Sequence, residues 1–116
     1  MTFDAQPYAQ ATKQRNEAER VQIAKRAVEA TEEAKRLARA IKENDPDIKA
    51  VYLFGSLAQG TPSNLDFDID LALDGGDTYK AMDISEESAF SVDLVQLNLV
   101  PAHLRKRILE TGIELL

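Results

Sequence analysis

Three aspartates alternate with other residues in one short segment, and this pattern limits most strongly what the chain can fold into. Asp66, Asp68 and Asp70 lie in "LDFDIDLAL", where apolar residues fill the gaps and continue past the acids. Successive side chains of a β-strand point to opposite faces, so the pattern predicts a strand over residues 67–73 with carboxylates on one face. A buried carboxylate is costly unless its charge is compensated. The segment therefore indicates a binding or catalytic site.

The remaining segments alternate between helical and extended patterns. Apolar residues recur at steps of three and four through residues 11–43, which contain no Gly or Pro, and this predicts one long helix. Further strands are predicted at 48–54 and 90–99, and further helices at 78–89 and 101–112. The order predicts an α/β or α+β fold, in which helices flank a small mixed sheet. Residues 1–10 are predicted to be a loose tail, and residues 11–116 a single domain whose catalytic core spans 48–116.

Composition excludes several classes of protein. The chain has no cysteine, so neither a disulfide framework nor a thiolate zinc site is possible. Residues 51–116 carry 4 Lys or Arg against 11 Asp or Glu, which disfavours non-specific binding to nucleic acid. No apolar segment approaches the roughly 18 residues of a membrane span, and the N-terminus does not resemble a signal peptide. A cytoplasmic protein without membrane contact is expected.

Two familiar ligand-binding loops do not fit the residues around Gly55 and the aspartates. An EF-hand loop starting at Asp66 needs Gly at its sixth position and Glu at its twelfth, but Leu71 and Asp77 stand there. A phosphate-binding P-loop starting at Gly55 needs Lys after its second glycine, but that residue is Thr61. Both interpretations are therefore rejected.

A site for two metal ions and a triphosphate accounts for the acids better. Gly55 ends a predicted buried strand and has no Cβ, so a phosphate can approach its backbone. Ser56 then starts a short helical turn, whose free N–H groups favour an anion. Asp68 and Asp70 would lie roughly 6.5–7 Å apart on one face of the next strand, within reach of two Mg²⁺ ions about 3.5–4 Å apart. Asp93 can supply a third carboxylate if its strand lies alongside.

The segments "LFGSLAQG", "DIDLAL" and "VDLVQL" together resemble the minimal nucleotidyltransferases of the DNA polymerase β superfamily. The resemblance covers roughly residues 48–116. It implies transfer of a nucleoside monophosphate, AMP from ATP, to a hydroxyl of a protein or RNA. Small members of the family are often antitoxins of HEPN-domain ribonuclease toxins, and some adenylylate a tyrosine of the toxin.

The resemblance also implies a role for each motif residue. Gly55 and Ser56 would hold the β- and γ-phosphates, and Asp68 and Asp70 would bind both Mg²⁺ ions. Asp93 would bind the catalytic metal and help to deprotonate the attacking hydroxyl.

Three features depart from the family pattern. Gln59 stands where Arg or Lys is usual, and Phe67 where Ser is usual. The spacer from Ser56 to Asp68 is one residue longer than the commonest form. The pair Asp66 and Asp68 therefore remains an alternative to Asp68 and Asp70. A degenerate member that neutralises a partner by contact alone is the alternative function.

The predicted helix over residues 11–43 is too long for a small sheet to cover. It would span about 50 Å at 1.5 Å per residue. Its apolar stripe suits a second helix, so a homo-oligomer or a helical toxin partner is expected to bind there.

Overall fold

A computed structural model describes the backbone of residues 6–116 and the side chains from Asn16 onward. In this part of the chain, helices and strands alternate. The helices are α1 (Gln6–Asn44), α2 (Gly55–Gln59), α3 (Thr78–Glu86) and α4 (Ala102–Thr111), and the strands are β1 (Ala50–Phe54), β2 (Ile69–Asp74), β3 (Val92–Gln96) and β4 (Ile113–Glu114). No helix of the described residues combines the length and apolar character that crossing a membrane requires.

The four strands form one mixed sheet in the order β3-β2-β1-β4. Strand β1 is antiparallel to both β2 and β4, whereas β2 and β3 run parallel. The predicted mixed sheet flanked by helices, with a long N-terminal helix, is confirmed. The short strand β4 was not predicted, because its two residues carry too little pattern to distinguish a strand from a loop.

Helix α1 starts earlier than the sequence predicted. It begins at Gln6 rather than at residue 11, and residues 1–5 of the predicted tail lie outside the described residues. Pro7 does not prevent this early start, since N–H groups in the first turn of a helix have no partner within the helix. The helix ends at Asn44, as expected from the restriction that Pro46 places on the residue before it.

Among the described side chains of α1, those buried against the sheet lie in its C-terminal half. Its fully buried residues from Ala30 to Ile41 contact one sheet face, which presents Val51, Leu53, Ile69, Leu71 and Leu73. Farther toward the N-terminus the side chains of Val21 and Val28 are 68% and 65% exposed. The molecule measures 71 × 30 × 18 Å, so the N-terminal part of α1 projects beyond the sheet.

Helix α4 covers part of the other sheet face. There, Ile108 packs with Ala72 and Leu97 in a smaller buried cluster, bordered by Tyr52, Phe54, Val95, Val100 and Leu104. Strand residues alternate between faces, so Asp70 and Asp93 share this second face with Ala72 and Val95. The acids therefore lie beside a helix rather than inside the main core.

Candidate active site

Gly55 joins β1 to α2 immediately beside an acid of β2. Its φ of +78° is a conformation that residues with a Cβ rarely adopt. A Cβ at this position would collide with the Oδ2 atom of Asp70 and would lie 3.2 Å from its Cγ. Phe54, the residue before, is paired with Asp70 across the antiparallel strands. The pairing of β1 with β2 thus brings the Gly-Ser turn against the acidic segment.

The turn itself is closed by local hydrogen bonds. Gly60 ends α2 in the left-handed conformation, with φ of 70°. The backbone N–H of Thr61 then donates to the carbonyl oxygen of Ser56 at 2.9 Å. These features match the short helical turn that the sequence predicts after Ser56, and they hold Ser56 at the end of β1.

Parallel pairing brings the predicted acids of two strands together. Asp70 of β2 is paired with Asp93 of β3, on strands that neighbour each other in the sheet. Paired residues of adjacent strands lie roughly 5 Å apart. Asp68 precedes β2 by one residue and, like Asp93, is exposed, whereas Asp70 is half-buried. The structure therefore places Asp93 on the same face as Asp70, as the sequence analysis required.

The pKa of Asp70 shows that these carboxylates influence one another. Partial burial removes water from its carboxyl group, and the negative charges of Asp93 and Asp68 add repulsion, in that order of effect; together they raise its pKa to about 6. Asp66 is not among the causes of this shift. It lies exposed in the preceding loop, where its backbone N–H donates to the Oδ1 atom of Asn64 at 2.8 Å.

The chemistry of this trio fits Mg²⁺, although the described residues include no group of three acidic or imidazole side chains already arranged to hold a metal. Mg²⁺ is commonly bound by one or two carboxylates together with phosphates of the substrate, so a complete protein cage is not required. Mutual repulsion among Asp68, Asp70 and Asp93 is the charge imbalance that a divalent cation would relieve. The carboxylate oxygens of these three residues suit such an ion.

A cleft of about 370 Å³ opens beside Gly55, between α2 and α4. Its polar lining consists of Gly55, Ser56, Gln59, Thr61, Arg107 and Thr111. The sequence analysis did not identify Arg107, because its place at the cleft depends on how α4 packs across β1. No local signal in "LRKRIL" separates this arginine from its basic neighbours.

The two substitutions relative to the family pattern have different surroundings. Gln59 is exposed and lines the cleft, so its side chain lies beside the Gly-Ser turn. Phe67 is partly buried and packs against the main core. The second substitution therefore contributes apolar packing at the start of β2.

The sequence model of the family "Polymerase beta, Nucleotidyltransferase" matches residues 35–116. This region includes the whole sheet and every residue of the candidate site. The chain belongs to the polymerase beta nucleotidyltransferase family, and its nucleotidyltransferase fold is the one expected from the Gly-Ser and Asp-x-Asp segments.

Solved structures of toxin-antitoxin proteins share this fold. A structure of the toxin-antitoxin MntA-HepT has a TM-score of 0.54 and 19% identity, covering 73% of this chain and 71% of the other. A structure of a toxin-antitoxin with AMP-PNP has a TM-score of 0.59 and 24% identity, covering 71% and 72%. A mutant of the MntA pair reaches 26% identity with a TM-score of 0.55, covering 68% of each chain. No curated protein sequence matches the chain significantly.

Proposed function

We propose that this protein transfers AMP from ATP to a hydroxyl group of a partner protein or RNA. The observation that carries the proposal is the pairing of Asp70 with Asp93 directly beside Gly55. It gathers carboxylates from two strands next to a backbone turn that a phosphate can approach. Membership of the nucleotidyltransferase family supports the same reaction.

Each residue of the candidate site has a role in this reaction. Gly55 and Ser56 hold the β- and γ-phosphates, while Asp68 and Asp70 would hold Mg²⁺, which neutralises developing negative charge when bound. Asp93 also contributes to the metal site and accepts the proton of the attacking hydroxyl. The hydroxyl oxygen forms a bond to the α-phosphorus, the bond from that phosphorus to the bridging oxygen breaks, and pyrophosphate leaves.

The acceptor approaches from the side of β3. Strand β3 is at the edge of the sheet, and the side chain of Asp93 is exposed there. The cleft at Gly55 lies on the other side of Asp70, toward β1 and α4. In this arrangement the nucleotide would lie toward β1 and the acceptor toward β3, with the acids of β2 and β3 between them.

The proposed partner is a HEPN-domain toxin that this chain antagonises. Two lines of support exist: the similar solved structures are of toxin-antitoxin proteins, and the projecting part of α1 leaves Val21 and Val28 exposed. A second copy of this chain is the alternative occupant of that helix.

A transfer assay tests the function. The protein is incubated with Mg²⁺, ATP labelled at the α-phosphate, and a HEPN-domain protein as the proposed toxin. We expect label on the toxin, none with chelator, and none with Asp70→Asn or Asp93→Asn. Lys106→Ala, an exposed substitution on α4, is the control and should label normally. Label transfer that persists without Asp70 and Asp93 would refute the assignment.

A binding module without catalysis is the second candidate. The position of Gln59 favours it, because an uncharged side chain lines the cleft beside the Gly-Ser turn. This candidate predicts that Asp70→Asn still neutralises the toxin in cells, whereas the transferase predicts that neutralisation is lost.

A further inference from the structure

The cleft between α2 and α4 contains a positive charge that the roles above do not use. Among the described residues that line it, Arg107 is the only one with a charged side chain. Gly55 and Ser56 line the same cleft, and no carboxylate is among its described lining residues. A cation at this place can therefore contact an anion held by the turn.

The two basic residues that precede Arg107 in α4 have other neighbours. The guanidinium of Arg105 donates to the carbonyl oxygens of Leu97 at 2.9 Å, Asn98 at 3.1 Å and Val100 at 3.4 Å, so it fixes the loop before α4. Lys106 lies 3.9 Å from a carboxylate oxygen of Glu110. Within the part of the chain that the structure describes, Arg107 forms no ion pair.

We propose that Arg107 contacts the terminal phosphates of the bound nucleotide and supplies the cationic contact that Gln59 does not. This inference rests on the proposed function, because it assigns a further binding residue to the same site. Guanidinium groups bind phosphate through paired N–H donors, and such charge-assisted hydrogen bonds are roughly twice as strong as neutral ones. Residues 51–116 contain only 4 Lys or Arg, so an unpaired arginine at this cleft is not a consequence of a generally basic surface.

The test measures binding of ATP and of AMP, each with Mg²⁺, by calorimetry. The first variant is Arg107→Gln, which keeps most of the side-chain length and removes the charge. We expect it to weaken ATP binding about tenfold and AMP binding less than twofold. Lys106→Gln is the matched control, since it removes a charge from the adjacent residue that does not line the cleft, and it should leave both affinities unchanged.

A variant that exchanges the residues at positions 59 and 107 distinguishes loss of the phosphate contact from a folding defect. Gln59→Arg combined with Arg107→Gln has the composition of the wild-type chain and returns one arginine to the same cleft. It should recover most of the lost ATP affinity. Three outcomes would each overturn the proposed role of Arg107 and leave the proposed function standing. They are unchanged ATP binding by Arg107→Gln, an equal loss of affinity for AMP and ATP, and no recovery of ATP affinity in the exchange variant. Failure of the wild-type protein to bind either nucleotide would overturn the proposed function as well.

Discussion

Asp70 and Asp93 face each other across the parallel strands β2 and β3, and their charges are coupled. Strand pairing fixes this relationship, so it exists before any ligand arrives. The two carboxylates repel each other in the free protein. This repulsion destabilises the folded protein. A bound cation would relieve it, and the relief would strengthen binding of the cation.

Binding of Mg²⁺ and ATP should therefore depend on Asp70. We expect the pair of ligands to raise the melting temperature of the wild-type protein, since a ligand at a hundredfold excess over its Kd stabilises the native state by about 2.7 kcal/mol. ATP with a chelator should have little effect, because the acids repel the triphosphate. Differential scanning fluorimetry gives the comparison.

Two asparagine variants determine which aspartates form the pair. Asp70→Asn should abolish the stabilisation by Mg²⁺ and ATP, whereas Asp66→Asn should retain it, because Asp66 lies in the loop and does not contribute to the pKa shift of Asp70. The opposite result would establish the Asp66–Asp68 pair instead.

Stability of the metal-free protein should depend on pH through Asp70. Its pKa of about 6 in the folded state exceeds the unfolded value of about 3.9, so the native state binds a proton more tightly. This contribution to stability is present below pH 4 and is lost as the pH rises to about 6. After allowance for solvent screening of a half-buried group, the loss is about 1 kcal/mol.

Asp70→Asn provides the check on this pH dependence. In the presence of chelator, urea unfolding of the variant should show equal or higher stability than the wild type at pH 7, and the difference should disappear toward pH 4. A large loss of stability at pH 7 would show that the Asp70 carboxylate has a structural role.

Substitution of Gly55 should damage both stability and binding. Alanine at this position meets an unfavourable φ and collides with the Asp70 carboxylate, which must move away. We expect a loss of about 2 kcal/mol and the loss of nucleotide binding. Gly60→Ala is the control: its φ is also positive, but a Cβ there meets no atom within 4 Å. It should cost about 1 kcal/mol and retain binding. Normal ATP binding by Gly55→Ala would contradict the close approach of backbone and phosphate.

Much of the fold was predictable because its patterns are local. The steps of three and four in α1 and the alternation around Ile69 follow from burial of one face, and each predicts the type of its element. Gly55 and the aspartates could be proposed as site residues because few ordinary structures need them in this order. Arg107 could not, because only the packing of α4 over β1 brings it to the cleft. Strand β4 depends on pairing with Leu53, which no local pattern reveals.

Removal of residues 1–20 should separate folding from partner binding. The buried residues of α1 begin at Ala30, so the shortened protein should keep its melting temperature within about 3 °C. Contact with a partner helix should be weakened, because the truncation shortens the projecting part while Val21 and Val28 remain. Size-exclusion chromatography and co-purification with the proposed toxin partner measure this. If the shortened protein keeps its oligomeric state and its partner, residues 1–20 do not form the interface.

The pairing of β1 with β2 also explains how a longer spacer between Ser56 and Asp68 is compatible with the candidate site. Phe54 and Asp70 are held opposite each other by the strands, so the intervening residues only need to close a surface loop. Loops tolerate insertion at little energetic cost. The number of residues in this loop can therefore change while the strands keep the geometry of the candidate site. Searches that require a fixed spacing between the two motifs will consequently miss relatives whose sites are equivalent in three dimensions.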